Sequence, residues 1–177
     1  MKQLAAVVVL GLSLAATGCG YALAGRGNSL PTYVKIIGVP NFVNQSQTPD
    51  LDTVLSDAVR QEFGAKGRYR VVAESAGVDA LLTVTLQPVL LTPTEWNAAR
   101  QASKYAITVS ASVVFTDEHE KKVFWANPSF VVREDYLVSN PTAVPDLSVL
   151  FSSDNNALER LSRNFARSLV TSILEAF

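Results

Sequence analysis

The chain has 177 residues, with 15 basic and 16 acidic side chains, one histidine and one cysteine. A single cysteine excludes an internal disulfide, and with a lone histidine it leaves no ligand cluster for a metal site or a thiol relay. The near balance of charge, with no basic excess, argues against a nucleic-acid partner.

The run Leu4 to Ala16 is almost wholly apolar, follows Lys2 and ends in small residues, which is the layout of a secretory signal peptide. At about 13 residues it is too short to span a bilayer, which takes about 20. The segment Ala16-Thr17-Gly18-Cys19 resembles the lipobox of bacterial lipoproteins, with Ala16 where Leu is commoner. The resemblance implies cleavage before Cys19 and acylation of its sulfur and its new amino group. One acyl chain holds a protein to a membrane only marginally, whereas two or more hold it stably. Gly20, in place of the Asp that retains lipoproteins in the inner membrane of enteric-type bacteria, implies an outer-membrane address.

Residues 1–18 are therefore expected to be a cleaved signal peptide, 19–32 a lipidated N-terminus and tether, and 33–177 one domain. The tether reading rests on Gly25, Gly27, Asn28, Ser29 and Pro31 with little apolar content. Roughly 160 residues beyond the leader suffice for one core and are too few for two comfortable ones.

Tyr33 to Val39 predicts a strand stopped by Pro40. After a polar loop, Thr48 is the expected N-cap of a helix with Pro49 in its first position and Asp50 and Asp52 at the positive end of the dipole. Leu51, Val54, Leu55, Ala58, Val59 and Phe63 form its apolar face, and Gly64 and Gly67 end it. Arg68 to Val72 predicts a short strand and Val78 to Leu91 a longer one. Lys104 to Thr116 alternates cleanly, with Tyr105, Ile107, Val109, Ala111, Val113 and Phe115 on one face and Thr108, Ser110, Ser112 and Thr116 on the other. The charged turn Asp117 to Lys122 joins it to Val123 to Val138 as a hairpin, with a bulge or edge position expected at Pro128. Ser139 to Ser153 reads as a loop. Ser153 or Asp154 caps a last helix with Leu158, Leu161, Phe165, Leu169, Ile173 and Phe177 on one face.

The order strand-helix-strand-strand-strand-helix, with one apolar stripe per helix, predicts an α+β two-layer sandwich, two helices on one face of a mixed sheet. The first strand and the Val78 strand are expected to run parallel.

No nucleophile, base or metal constellation emerges, so no catalytic role is expected. His119 lies in a charged turn and reads as solvated. Asp79 reads as a capping or turn residue. Glu134 and Asp135 are adjacent on a strand, so they point to opposite faces and cannot act as a pair. Trp96, Arg100 and Lys104, beside the loop between two long strands, are the candidate contacts for an anionic, partly apolar ligand such as a phosphorylated lipid. No cofactor is expected beyond the covalent lipid on Cys19.

Several stretches together carry a resemblance: Cys19-Gly20-Tyr21-Ala22-Leu23-Ala24-Gly25, the Val34-to-Pro40 strand leading to Asn41-Phe42-Val43-Asn44, and Ala58-Val59-Arg60-Gln61-Glu62-Phe63. Asp79-Ala80-Leu81-Leu82, the Tyr105 strand, Trp125, Glu134-Asp135-Tyr136 and Ala157-Leu158-Glu159-Arg160-Leu161 extend it over nearly the whole mature chain. In these the sequence resembles the lipopolysaccharide-assembly lipoproteins, the small subunit of the outer-membrane lipopolysaccharide translocon. The resemblance implies a non-enzymatic α/β sandwich that plugs the lumen of a large outer-membrane β-barrel, assists its assembly and contacts lipopolysaccharide. The family's lipid contacts are attributed to basic residues near strand-connecting loops, where only Arg100 and Lys104 stand here; Ser139 to Ser153 has no Lys or Arg. The competing reading is a periplasm-facing accessory lipoprotein of another lipid-transport or secretion complex.

Overall fold

The computed structural model describes residues 30–138 and 155–177. The signal peptide, Cys19, most of the tether, the Ser139–Ser153 loop and the cap at Ser153 or Asp154 lie outside the described residues. In chain order the described elements are β1 (Ile36–Gly38), β2 (Val43–Asn44), α1 (Leu51–Ala65), β3 (Arg70–Val72), β4 (Ala80–Leu86), β5 (Leu90–Trp96), β6 (Ala102–Asp117), β7 (Val123–Leu137) and α2 (Asn155–Leu174).

The sheet is built around β6. Its Tyr105, Ile107, Val109, Ala111, Val113 and Phe115 are all buried, while Thr108, Ser110, Ser112 and Thr116 between them are half-buried. Period-2 alternation thus sends the apolar set to the helices and the hydroxyl set to the other face. β7 pairs antiparallel along one edge of β6. The other edge is shared end to end: β4 takes Ala111–Asp117 and β5 takes Ala102–Thr108. β1 pairs parallel with both β3 and β4, as expected for the first strand and the Val78 strand, and β2 pairs parallel with β4.

The single strand expected from Val78 to Leu91 is two strands. Pro88 has no N–H to give to the ladder, so pairing stops after Leu86, with Gln87 N still donating to Ser110 O at 2.8 Å, and resumes at Leu90. The first strand is shorter than Tyr33 to Val39, because Val34 N donates back to Pro31 O in a turn before β1 begins. At Pro128 the expected bulge is present. The step from Ala111 to Val113 on β6 faces the step from Phe130 to Asn127 on β7, and Asn127 Oδ1 accepts from Ser129 N at 2.9 Å.

α1 packs on α2, and α2 on β7. Leu55, Val59 and Phe63 of α1 and Leu161, Phe165, Leu169 and Ile173 of α2 are fully buried, in one core with Leu82, Leu86, Val109 and Phe115 of the sheet. Phe165 of α2 lies edge-on to Phe130 of β7 at 5.4 Å and tilted to Phe42, between β1 and β2, at 6.3 Å between ring centroids. This is the two-layer α+β arrangement expected.

The start of α1 differs from the expectation. The N-cap is Asp50, in the left-handed region at φ 59, with no side-chain cap bond. Thr48 is drawn inward to 7% exposure, and Asn44 organises the approach instead, its Nδ2 donating to Thr48 O at 3.0 Å and to Asp52 Oδ1 at 3.2 Å. At the other end Gly67, at φ 68, donates to Gly64 O at 3.0 Å and turns the chain out of the helix.

Candidate functional site

Asn97 folds the turn between β5 and β6. Its Oδ1 accepts the N–H groups of Ala99 at 2.9 Å and Gln101 at 3.0 Å, and its own N–H donates to Gln101 O at 2.9 Å. Arg100 occupies this turn at φ 57 and is exposed. Trp96, the last residue of β5, pairs with Ala102 and is 60% exposed. The fold thus brings Trp96 and Arg100 together at one end of the sheet.

Lys104 belongs to a different arrangement. Its Nζ lies 3.2 Å from Asp135 Oδ2 on β7 and 3.2 Å from Glu95 Oε1 on β5. Asp135 foremost, then Glu95, hold the ammonium's pKa above its ordinary value. Asp135 also lies 3.8 Å from Arg133 Nε. The charge of Lys104 is therefore compensated before any ligand arrives, whereas among the described residues Arg100 has no carboxylate within salt-bridge distance. Glu95 carries no sequence signal of this role, because β5 lacks the apolar alternation of a strand. Alternation does separate Glu134 from Asp135: Glu134 turns to α2, accepting from Asn164 Nδ2 at 3.2 Å with Arg160 Nε at 3.6 Å.

The sheet face opposite the helices carries Thr83 and Thr85 of β4, Thr92 of β5, and Thr108, Ser110 and Ser112 of β6. Thr85 stands opposite Ser112. Leu90 and Arg133 flank Thr108 on its two sides.

A second polar cluster ties the start of the domain to the β6–β7 turn. Asp79 accepts the backbone N–H groups of Lys35 and Ile36, each at 2.8 Å, so it does serve as a cap, and its Oδ1 lies 2.8 Å from His119 Nε2. Asp117, fully buried, accepts from the Tyr33 hydroxyl and from the N–H groups of His119 at 2.8 Å and Glu120 at 3.2 Å. The Tyr33 and His119 rings meet edge to face at 5.6 Å. Bonding from Lys35 N, with His119 next, lowers the Asp79 pKa. Burial by itself would raise that of Asp117, but the Tyr33 hydroxyl and the two N–H groups outweigh it and the net shift is downward. The same carboxylate pushes the Tyr33 phenol up to about 12, so it remains a donor at neutral pH. His119 is 58% exposed on its side chain, as a solvated turn residue should be, yet it is also a bridge between sequence-distant elements. The cluster fastens a strand to a hairpin. Among the described residues no group of three or more His, Cys, Asp or Glu is placed to hold a metal ion.

These features define a two-layer α+β domain with its helices on one sheet face and a hydroxyl-rich, charge-balanced surface on the other. A family model described as lipopolysaccharide-assembly, LptE, matches residues 34–173, most of the chain, and the chain belongs to that family of lipopolysaccharide-assembly lipoproteins. In solved structures a similar arrangement occurs in a hypothetical protein from Chlamydia trachomatis, 10% identical over 79% of this chain and 98% of that one, with a TM-score of 0.50. The rare lipoprotein B of Shewanella oneidensis is 13% identical over 78% of this chain and 93% of that one, with a TM-score of 0.49. Lipoprotein B of Nitrosomonas europaea is 6% identical over 84% and 90%, at 0.48. At such identities the likeness is one of fold. No curated protein matches the chain by sequence.

Proposed function

We propose that this protein is an outer-membrane lipoprotein, acylated at Cys19, whose domain sits in the lumen of a large β-barrel that delivers lipopolysaccharide to the cell surface, helps that barrel assemble and touches the lipopolysaccharide. The family match over residues 34–173 carries this reading. The chemistry of the domain supports it. The interior of a wide outer-membrane barrel is polar and wet, and a domain with paired surface charges and a hydroxylated sheet face suits that environment. Among the described residues no helix is long and apolar enough to cross a membrane, and the proposed anchor is the lipid on Cys19.

Trp96 and Arg100 are the proposed contacts for the phosphorylated lipid, Arg100 through charge-assisted hydrogen bonds and Trp96 through its exposed ring. Lys104 joins them as a positioning residue, since its charge is already shared between Glu95 and Asp135. Arg100→Glu with Lys104→Glu is expected to weaken binding of purified protein to lipopolysaccharide at least tenfold; unchanged binding removes the lipid site from the proposal.

The decisive experiment is a mild-detergent pull-down of the tagged full chain from native outer membranes. A large barrel recovered at near-equal stoichiometry, in a complex that resists SDS before boiling, is the expected result. Recovery of an inner-membrane transport complex, or of self-oligomers alone, overturns the plug reading in favour of an accessory role in another transport or secretion system.

A further inference from the structure

We propose that the hydroxyl-lined outer face of the sheet binds the saccharide portion of lipopolysaccharide, a polyhydroxylated chain, with Trp96 as a stacking platform at one end; this rests on the lipopolysaccharide-assembly reading above. The face is built by register. Thr85 stands beside Ser112, Thr92 beside Ala106, and Trp96 beside Ala102, while Ser110 and Thr108 continue the row along β6. At about 3.3 Å per residue, Ala102 to Ser112 spans about 33 Å, room for a chain of several sugar rings.

Three properties of this face select the ligand. A Ser or Thr hydroxyl both donates and accepts, matching the dual character of sugar hydroxyls. Among the described residues, the side chains of Thr83, Thr85, Thr92, Thr108, Ser110 and Ser112 enter no hydrogen bond with one another or with other side chains. Next, the cations of the face are compensated, Lys104 by Glu95 and Asp135, and Arg133 by Asp135. A phosphate laid there would meet two carboxylates, while a neutral polyol meets balanced donors and acceptors. Finally, the exposed apolar residues Leu90, Val131 and Leu137 each pair with a polar residue of β6, respectively Thr108, Ser110 and Lys104. They form no row for an acyl chain, whose burial would strand the hydroxyls without partners. The Trp96 ring, 60% exposed, offers an apolar platform for the C–H face of a sugar ring.

The test uses the purified full chain in detergent, with two probes: the phosphate-free oligosaccharide released from lipopolysaccharide by mild acid and phosphatase, and lipid A alone. The wild type is expected to bind the oligosaccharide in calorimetric titration. Thr92→Val with Thr108→Val and Ser110→Ala, which exchanges hydroxyl for methyl or hydrogen on a β-favouring background, is expected to lose at least tenfold in oligosaccharide affinity and to keep its lipid A affinity. Absence of oligosaccharide binding by the wild type, or undiminished binding by the folded triple variant, overturns the proposal. Should that variant fail to fold, amide shifts of the wild type decide: movement along the β4–β6 rows supports the proposal, and movement confined to the Asn97–Gln101 turn refutes it. If the triple variant keeps its oligosaccharide affinity but no longer co-purifies with the barrel, or if the face instead mediates self-association, the occupant is protein and the proposal falls. Because no barrel is present in the titrations, failure of the barrel pull-down is read separately from failure of this site.

Discussion

At Gly38 a β-carbon would lie 2.6 Å from the carbonyl oxygen of Glu74 and 3.1 Å from Val78 Cγ2. The oxygen belongs to the backbone and cannot swing aside, so Gly38→Ala is expected to destabilise the protein by about 1–3 kcal/mol, read as a shift in urea midpoint at constant slope. The two anchoring carboxylates make a prediction about pH. Asp79 and Asp117 both have lowered pKa values in the folded protein. Each therefore contributes stability that is fully present above the unfolded carboxylate value of about 3.9 and is lost as pH falls through the lower folded value. Melting temperature is expected to be flat from pH 7 to about 5 and to drop below about 4. Asp79→Asn is expected to lower stability at pH 7 by about 1–3 kcal/mol, since the bonds from Lys35 and Ile36 lose their charged acceptor. The variant's acid limb should be shallower than the wild type's; an identical limb means that Asp79 does not contribute to the pH dependence.

Among the elements, α2 is the one on which both layers converge. Its Phe165 is fully buried and touches Phe130 on β7 and Phe42 beyond β1. Phe165→Ala is expected to cost about 3–5 kcal/mol in thermal or denaturant unfolding, because it removes a fully buried ring and leaves a cavity in the core. β5 is the element that periodicity hides. Leu90, Thr92, Pro93, Glu95 and Trp96 are all exposed and only Leu91 and Thr94 partly covered, so it lacks the apolar alternation that signals a strand. Its pairing comes from β6, whose ladder continues past Pro88. The bulge at Pro128, by contrast, was legible because a proline inside a strand must surrender a ladder bond.

At the scale of the whole molecule, attachment and docking are separable. If acylated Cys19 is the anchor, exchanging residues 1–19 for a leader that is cleaved without acylation is expected to move the protein from the outer-membrane fraction to the soluble periplasm, with circular dichroism unchanged because the described core residues all lie beyond Cys19. Retention in the membrane of the unacylated protein would show that the partner, not the lipid, holds it there. The candidate lipid contacts were only partly legible for a related reason. Trp96, Arg100 and Lys104 are close in sequence, which placed them near one loop, but whether a cation is available depends on carboxylates brought alongside from other strands. Asp135 reaches Lys104 only because β7 pairs with β6 in the register Lys104 to Leu137.

Local chemistry by itself determined the two amphipathic helices, the alternating hairpin, its bulge and the family resemblance, because each rests on side chains a few residues apart or on a contiguous pattern. Only the tertiary structure decided that β4 and β5 share one edge of β6, that Asp79 accepts from Lys35 and Ile36 and meets His119, and that Asp135 compensates Lys104. These are contacts between residues far apart in the chain, whose meeting is set by strand register and by layer packing, and no local pattern of residues encodes the partner across that distance.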